Sequence, residues 1–352
     1  MKRRDFIKIV GAAAAAWPLP LRSQQSSNGW LIGVLSPIAK TAAVRNVEAL
    51  RDGLREFGYS EDRNIKLEIR YADGDIDRLP LLAAELVKLS PAVIVAGSPP
   101  AAIAAHNATH TIPIVINSSP DPVALGLANS IARPGGNVTG FWWGDAALNG
   151  KRLELLKQAV PGMARAGLIF NPDDPTDSDA VQVATEASKS LSLTIRVLEV
   201  RAATEFQEAF TTAKREGLQG LAIASGPLFV SFRAELAKMA LAAGLPAMGG
   251  FRDFAVVGTL ASYGANLSDL YRRKAAFIDK ILRGANPAEL PIERPTKFEF
   301  LINLKTAKLL GLTIAPLLLA HWCSGWARAN ATDCVPWSIV LRSSPASASS
   351  LR

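Results

Sequence analysis

From Trp30 onward, short apolar runs alternate with segments whose apolar positions recur every three or four residues. Leu31-Ile32-Gly33-Val34-Leu35 is the first run, closed by Ser36-Pro37. Val47, Leu50, Leu54 and Phe57 then share one helical face as far as Gly58. Ile65, Leu67, Ile69 and Tyr71 alternate with Lys66, Glu68 and Arg70, the period-two pattern of a strand with one wet face. A helix over 79–89 leads to Ala92-Val93-Ile94-Val95-Ala96, a continuous apolar run that needs cover on both faces. A helix over 101–108, the run Ile114-Val115-Ile116, a helix from Pro122 and the stretch Asn137-Val138-Thr139-Gly140 complete this half. Strand and helix in regular alternation predict a parallel sheet covered on both sides.

The plan restarts near Arg165. Leu168-Ile169-Phe170, Ile195-Arg196-Val197-Leu198, Leu221-Ala222-Ile223-Ala224 and Pro246-Ala247-Met248 read as strands with one helix between successive runs. Gly220 to Leu228 echoes Ala92 to Pro100, each a buried strand that ends in small residues before a helix. The fold class that follows is α/β, with two doubly wound parallel-sheet lobes joined by a hinge. After the strand Thr259-Leu260-Ala261-Ser262 come Tyr263-Gly264, a long helix over 268–282, a connector from Pro287 to Pro295, the extended stretch Phe298 to Asn303 and a short helix. A chain that completes two lobes and then adds these elements crosses between them more than once. The expected division is 30–141 with 264–294 for the first lobe, and 142–263 with 295–320 for the second.

Both ends differ in kind. Lys2 to Lys8 is charged, Ile9 to Leu21 is apolar, and Leu21-Arg22-Ser23 closes the segment: the order of an export signal, with an apolar part too short to span a bilayer. Arg3-Arg4 before Phe6 and Lys8 has the form of a twin-arginine signal, so residues 1–23 are expected to be removed near Ser23 and the protein to reach the periplasm. His321 to Arg352 holds Cys323, Cys334, Trp322, Trp326 and Trp337 but no Lys, no Glu and no periodicity, and reads as an unpacked tail.

Composition narrows the function. The formal charge of +8 suggests a nucleic-acid partner until it is mapped: Lys2, Arg3, Arg4, Lys8 and Arg22 against Asp5 account for half of it. The remaining +4 is dispersed, so no basic stripe tracks phosphates and no nucleic acid is expected. The stretch from Leu89 to Pro120 lacks Asp, Glu, Lys and Arg, but Pro91, Pro99, Pro100 and Pro113 break it, so it is no membrane span.

The usual catalytic sets are missing. His106 and His110 lie beside an alanine-rich helix, and His321 with Cys323 and Cys334 lacks the spacing of a zinc site. No G-x-S-x-G elbow, phosphate loop or G-x-G-x-x-G follows a strand. Asp173, Asp174, Asp177 and Asp179 lack the glycine and distal Glu of a calcium loop, and read as loop and helix-cap residues. No metal and no cofactor is expected. What the sequence does hold is small polar residues at strand carboxyl ends: Ser36, Ser98, Ser118, Ser119, Asn171 and Ser225, with Asp121 beside them. Ligands bind at that end of an open parallel sheet. Trp142, Trp143, Phe251 and Tyr263 fall near the inferred crossings and could wall a pocket. Within it Ser98, Ser118 and Ser119 would take a carboxylate and Asp121 an ammonium group.

Several stretches carry a resemblance. They include Arg3 to Ile7, Asp77-Arg78-Leu79-Pro80, Ile112 to Val115, Asp121-Pro122-Val123, and above all Arg133-Pro134-Gly135-Gly136-Asn137-Val138-Thr139-Gly140. Lys151 to Leu156, Asn171-Pro172, Ser262-Tyr263-Gly264, Pro295 to Glu299 and Ile302 to Ala307 extend it. The sequence resembles the ABC transporter substrate-binding proteins of the type I periplasmic-binding fold, in the group of tryptophan/tyrosine-type binding proteins, over residues 1 to 320. The likeness stops after Ala320, where this chain departs from the short charged helix that ends such proteins. The resemblance implies a non-enzymatic, monomeric receptor that closes two lobes on a small ligand and delivers it to the permease and ATPase subunits of an importer. An enzyme on paired lobes, or a ligand sensor without a transport role, is the alternative class.

Overall fold

The computed structural model describes residues 29–315 and Leu318. The expected signal over 1–23 and tail over 321–352 lie outside the described residues. The first lobe is built from β1 (Trp30–Ser36), α1 (Lys40–Glu56), β2 (Ile65–Tyr71), α2 (Leu79–Lys88), β3 (Val93–Ala96), α3 (Pro99–Ala108), β4 (Ile114–Ser118) and β5 (Val138–Trp142). Its strands are all parallel, in the order β2-β1-β3-β4-β5. The apolar runs read from sequence are these buried strands, and alternate residues serve opposite faces. Val93, Val95 and Val115 pack with α1, while Ile94, Ala96, Ile114 and Ile116 pack with α2 and α3.

The second lobe repeats the plan with α4 (Asp145–Ala159), β6 (Arg165–Phe170), α5 (Ala180–Ser190), β7 (Thr194–Glu199), α6 (Phe206–Arg215), β8 (Leu221–Ile223), α7 (Pro227–Ser231), α8 (Arg233–Ala242), β9 (Ala247–Gly249), α9 (Arg252–Val257) and β10 (Ala261–Ala265). Read from β7, its order is β7-β6-β8-β9-β10, the order of the first sheet. A last strand, β11 (Phe298–Ile302), adds antiparallel to β10.

Two sequence expectations shift. The segment from Pro122 forms turns and no helix: Asp121 Oδ1 accepts the Val123 N–H at 2.9 Å, and Gly126 turns the chain at φ 70°. Tyr263 and Gly264 lie inside β10, because pairing of Tyr263 with Phe300 extends that strand beyond its apolar run.

After β10 the chain forms α10 (Leu267–Leu282), then β11 and α11 (Leu304–Leu309). α10 packs on the first lobe. A Cβ on Gly53 of α1 would collide with the Arg272 carbonyl, so glycine permits this close helix contact, and Phe277 stands edge-on to Phe141 of β5 at 5.4 Å. The return past β5 is fixed by Glu293, whose N–H donates to Gly140 O (2.8 Å) and whose carbonyl accepts from Trp142 N (2.9 Å). Chain thus passes between the sheets three times, near 143–144, 266 and 294–297. The second and third passages are tied where Asn266 N–H donates to Lys297 O and Lys297 Nζ meets Asp269 at 2.6 Å.

Candidate functional site

In the strand order 2-1-3-4-5 the connections leave β1 and β3 in opposite directions, opening a crevice at their carboxyl ends. The repeated order gives the second lobe the same crevice beyond β6 and β8, and the two face each other. Pro37, Gly97 and Ser98 come from the first lobe, and Thr176, Ser225 and Phe251 from the second. The space between, its mouth to solvent included, is about 440 Å³. Its walls are largely apolar: Ile38, Pro99, Pro227, Val230, Leu267 and Phe251 contribute.

Five of the residues lining this space carry a polar side-chain atom that is buried without a hydrogen-bond partner: Asn46 Oδ1, Ser119 Oγ, Trp143 Nε1, Thr176 Oγ1 and Ser225 Oγ, the last lying against Gly250. Each such atom costs about 1–3 kcal/mol unless something bonds it, and native proteins rarely gather several in one place. The indole N–H of Trp143 is donor-only and calls for an acceptor.

The sequence candidates divide. Ser98, Ser119, Ser225 and Phe251 line the cleft, and Ser98 also caps α3 by accepting the Ala101 N–H at 3.4 Å. Ser36, Ser118 and Asn171 stand behind it with local bonds: Ser36 Oγ donates to Ile38 O, Ser118 Oγ donates to Pro120 O, and Asn171 Oδ1 accepts from Asp173 N. Tyr263 is buried in β10, its phenol pushed up to about 12 by that burial, and its carbonyl accepts Arg152 Nε at 2.7 Å. The structure does not bring Asp121 or Trp142 to the cleft. Asp121 caps its own turn, and Trp142 lies under the Arg294 guanidinium, 4.4 Å from its ring. β5 alternation decides the last point, since successive side chains there point to opposite faces and Trp143, one residue on, is the one that lines the cleft.

Sequence reading passed over Asn46, Trp143 as the lining member of its pair, Thr176 and Tyr271. Asn46 had a signal: it sits among Ala42, Ala43, Val47 and Leu50 on the buried face of α1, where a polar residue is out of place unless it has work to do. Lys274 breaks the apolar face of α10 in the same way.

Behind the second-lobe wall lies Asp174, buried, with Oδ1 accepting the Thr176 N–H at 2.8 Å and Oδ2 unpaired. Burial raises its carboxyl to about 6. Among the described residues no group of His, Cys, Asp and Glu could hold a metal ion, and no helix is long and apolar enough to cross a membrane.

A model of the family described as ABC transporter substrate binding protein matches residues 31–322. A tyrosine-binding protein from Clostridioides difficile (strain R20291) is 27% identical over 259 residues, 74% of each chain. A conserved domain protein from Vibrio cholerae superposes with a TM-score of 0.77 at 24% identity, over 83% of this chain and 98% of that one. An ABC domain from Streptococcus pneumoniae, solved in complex with L-Trp, gives 0.73 at 24% identity with the same coverage. These solved structures share the fold, that of the type I periplasmic binding proteins.

Proposed function

The chain belongs to the ABC transporter substrate binding protein family, and we propose that it is the exported solute receptor of an ABC importer. It closes its lobes on an amino acid or similar small carboxylate, releases that ligand unchanged to a membrane permease served by ATPase subunits, and works as a periplasmic monomer. The division into two lobes expected from sequence is retained in this proposal, with Trp142 in the first lobe and Gly264 and Ala265 in the second. The observation that carries it is the convergence of five unpartnered polar atoms from both lobes on one apolar-walled cleft. Such atoms are stabilised when a ligand bonds them, and a ligand that touches both walls favours the closed arrangement.

The ligand-binding residues of this proposal are Asn46, Ser98, Ser119, Trp143, Thr176, Ser225 and Phe251, with Phe251 and Trp143 as aromatic walls. The tyrosine-binding relative and the L-Trp complex of the same fold support an aromatic amino acid as the first class to try. A thermal-shift screen of the purified protein against the amino acids and small carboxylates tests it. A ligand at 100 times its Kd stabilises the folded form by about 2.7 kcal/mol, so the melting temperature should rise by several degrees in a concentration-dependent way. A screen in which only sugars shift the protein contradicts the ligand class, and a ligand recovered chemically altered contradicts the receptor.

A further inference from the structure

No charged side chain lines the cleft, yet buried charges stand one residue behind both of its walls. On the first-lobe side Lys274 of α10 is fully buried. Its Nζ donates to Ala96 O at 2.9 Å and lies 4.6 Å from the ring centre of Tyr271. Ala96 precedes the lining residue Gly97, and the Tyr271 hydroxyl sits 2.5 Å from where a Cβ on Gly97 would be. On the second-lobe side, Asp174 Oδ2 is 2.7 Å and Asp177 Oδ2 2.9 Å from the position of a Cβ on Gly226, which lies between the lining residues Ser225 and Pro227. Asp177 accepts the Asn171 N–H, and buried Arg152 in this lobe bonds Tyr263 O and Asn149 Oδ1. Above about pH 6, where Asp174 ionises, two carboxylates against one guanidinium leave that wall with an excess negative charge. The remaining buried charge among the described residues, Asp279, lies in the last turns of α10 with Arg283 and Tyr59.

We infer that the cleft is polarised for a zwitterion, with Lys274 drawing the ligand's carboxylate to the first-lobe wall and Asp174 drawing its ammonium group to the second. This rests on the receptor reading above and adds an orientation to it. Among the lining atoms the donor-only Trp143 Nε1 suits a carboxylate on the first-lobe side, the Ser119, Thr176 and Ser225 hydroxyls can serve either charge, and the acceptor Asn46 Oδ1 calls for a donor, so the polarity rests on Lys274 and Asp174. In a site without bulk water a charge one residue behind the wall still acts strongly on the ligand. Lys274 and Asp174 are thus positioning residues for the ligand's two charges. Burial drives the Lys274 amine well below its ordinary value, so the empty protein favours its neutral form and a carboxylate arriving at the first-lobe wall stabilises the charged one.

Calorimetric titration of the full chain at pH 7 tests this. The probes are L-tyrosine and L-tryptophan, their decarboxylated amines tyramine and tryptamine, and the deaminated acids 3-(4-hydroxyphenyl)propionate and indole-3-propionate. The wild-type protein should bind one of the amino acids at least a hundredfold tighter than either of its fragments. Asp174→Asn should weaken the amino acid at least tenfold and leave the deaminated acid within about threefold. Lys274→Met should weaken the amino acid and the deaminated acid at least tenfold and spare the amine. Equal losses for all probes, unchanged ratios, or the reverse assignment would overturn the polarity while leaving the receptor reading standing. If the wild-type protein binds neither amino acid, the inference for these zwitterions falls, while the receptor reading is decided by the thermal-shift screen. Should Lys274→Met not fold, Lys274→Gln replaces it, and the wild-type fragment comparison needs no variant.

Discussion

Asp174 shows how a single residue can set the behaviour of a site from behind its wall. Its carboxyl is raised from 3.8 to about 6 because burial disfavours its charged form. A raised folded-state pKa means that the folded protein prefers the neutral acid. The associated stability is therefore present below the unfolded value near 4 and is lost as pH rises through about 6. That preference corresponds to about 2–3 kcal/mol. Asp174→Asn, which keeps the shape without the charge, should thus raise the urea midpoint relative to wild type at pH 7.5, with the gap closing by pH 4. An Asn variant less stable at pH 7.5 would show that the ionised carboxylate is compensated by its surroundings. Little of this was legible in the chain. Asp173, Asp174, Asp177 and Asp179 look alike in sequence, and only folding hides Asp174 while leaving Asp179 exposed and without a side-chain cap bond to α5. Asn46 and Lys274 were more readable, since each interrupts an apolar helical face, a local signal that needs no knowledge of the partner lobe.

Among the elements, strands of the parallel sheets were the most legible, because burial on both faces writes a continuous apolar run such as Val93 to Ala96. The misplacements arise where distant chain decides the outcome. β10 continues through Tyr263 because β11 pairs with it, and the stretch from Pro122 fails to wind because its cap and Gly126 close separate turns. α10 depends on a contact that periodicity cannot show. It crosses back from β10 to pack on α1, and the approach is possible only because Gly53 presents no side chain to the Arg272 carbonyl. Gly53→Val should force the helices apart and cost about 1–3 kcal/mol, the usual range for overpacking, read as a lower urea midpoint. Because α10 carries Tyr271 and Lys274, the same variant should weaken ligand binding as well. A Val variant with unchanged stability would mean that α10 can shift without loss, and its positioning of the first-lobe wall would then be loose.

At the scale of the whole molecule, the repeated 2-1-3-4-5 order puts two crevices face to face and three chain passages hold them together. The direct ties across the cleft mouth are slight. Arg45 meets Asp253 at 2.7 Å, and the Ala39 N–H, at the start of α1, donates to Ser231 Oγ at 3.2 Å. The Arg45 side chain is half exposed, and an ion pair of that kind is worth about 0–1 kcal/mol. In the receptor proposed above, these ties would guide closure and the ligand would supply most of the preference for the closed arrangement by bonding the five orphaned atoms. The measurement that tests this most directly is a crystal structure of the protein grown with the amino acid that gives the largest thermal shift. The account predicts one ligand between the lobes, within hydrogen-bond distance of Asn46, Ser119, Trp143, Thr176 and Ser225. A ligand bound elsewhere, or one in the cleft that leaves those atoms unpaired, would contradict it.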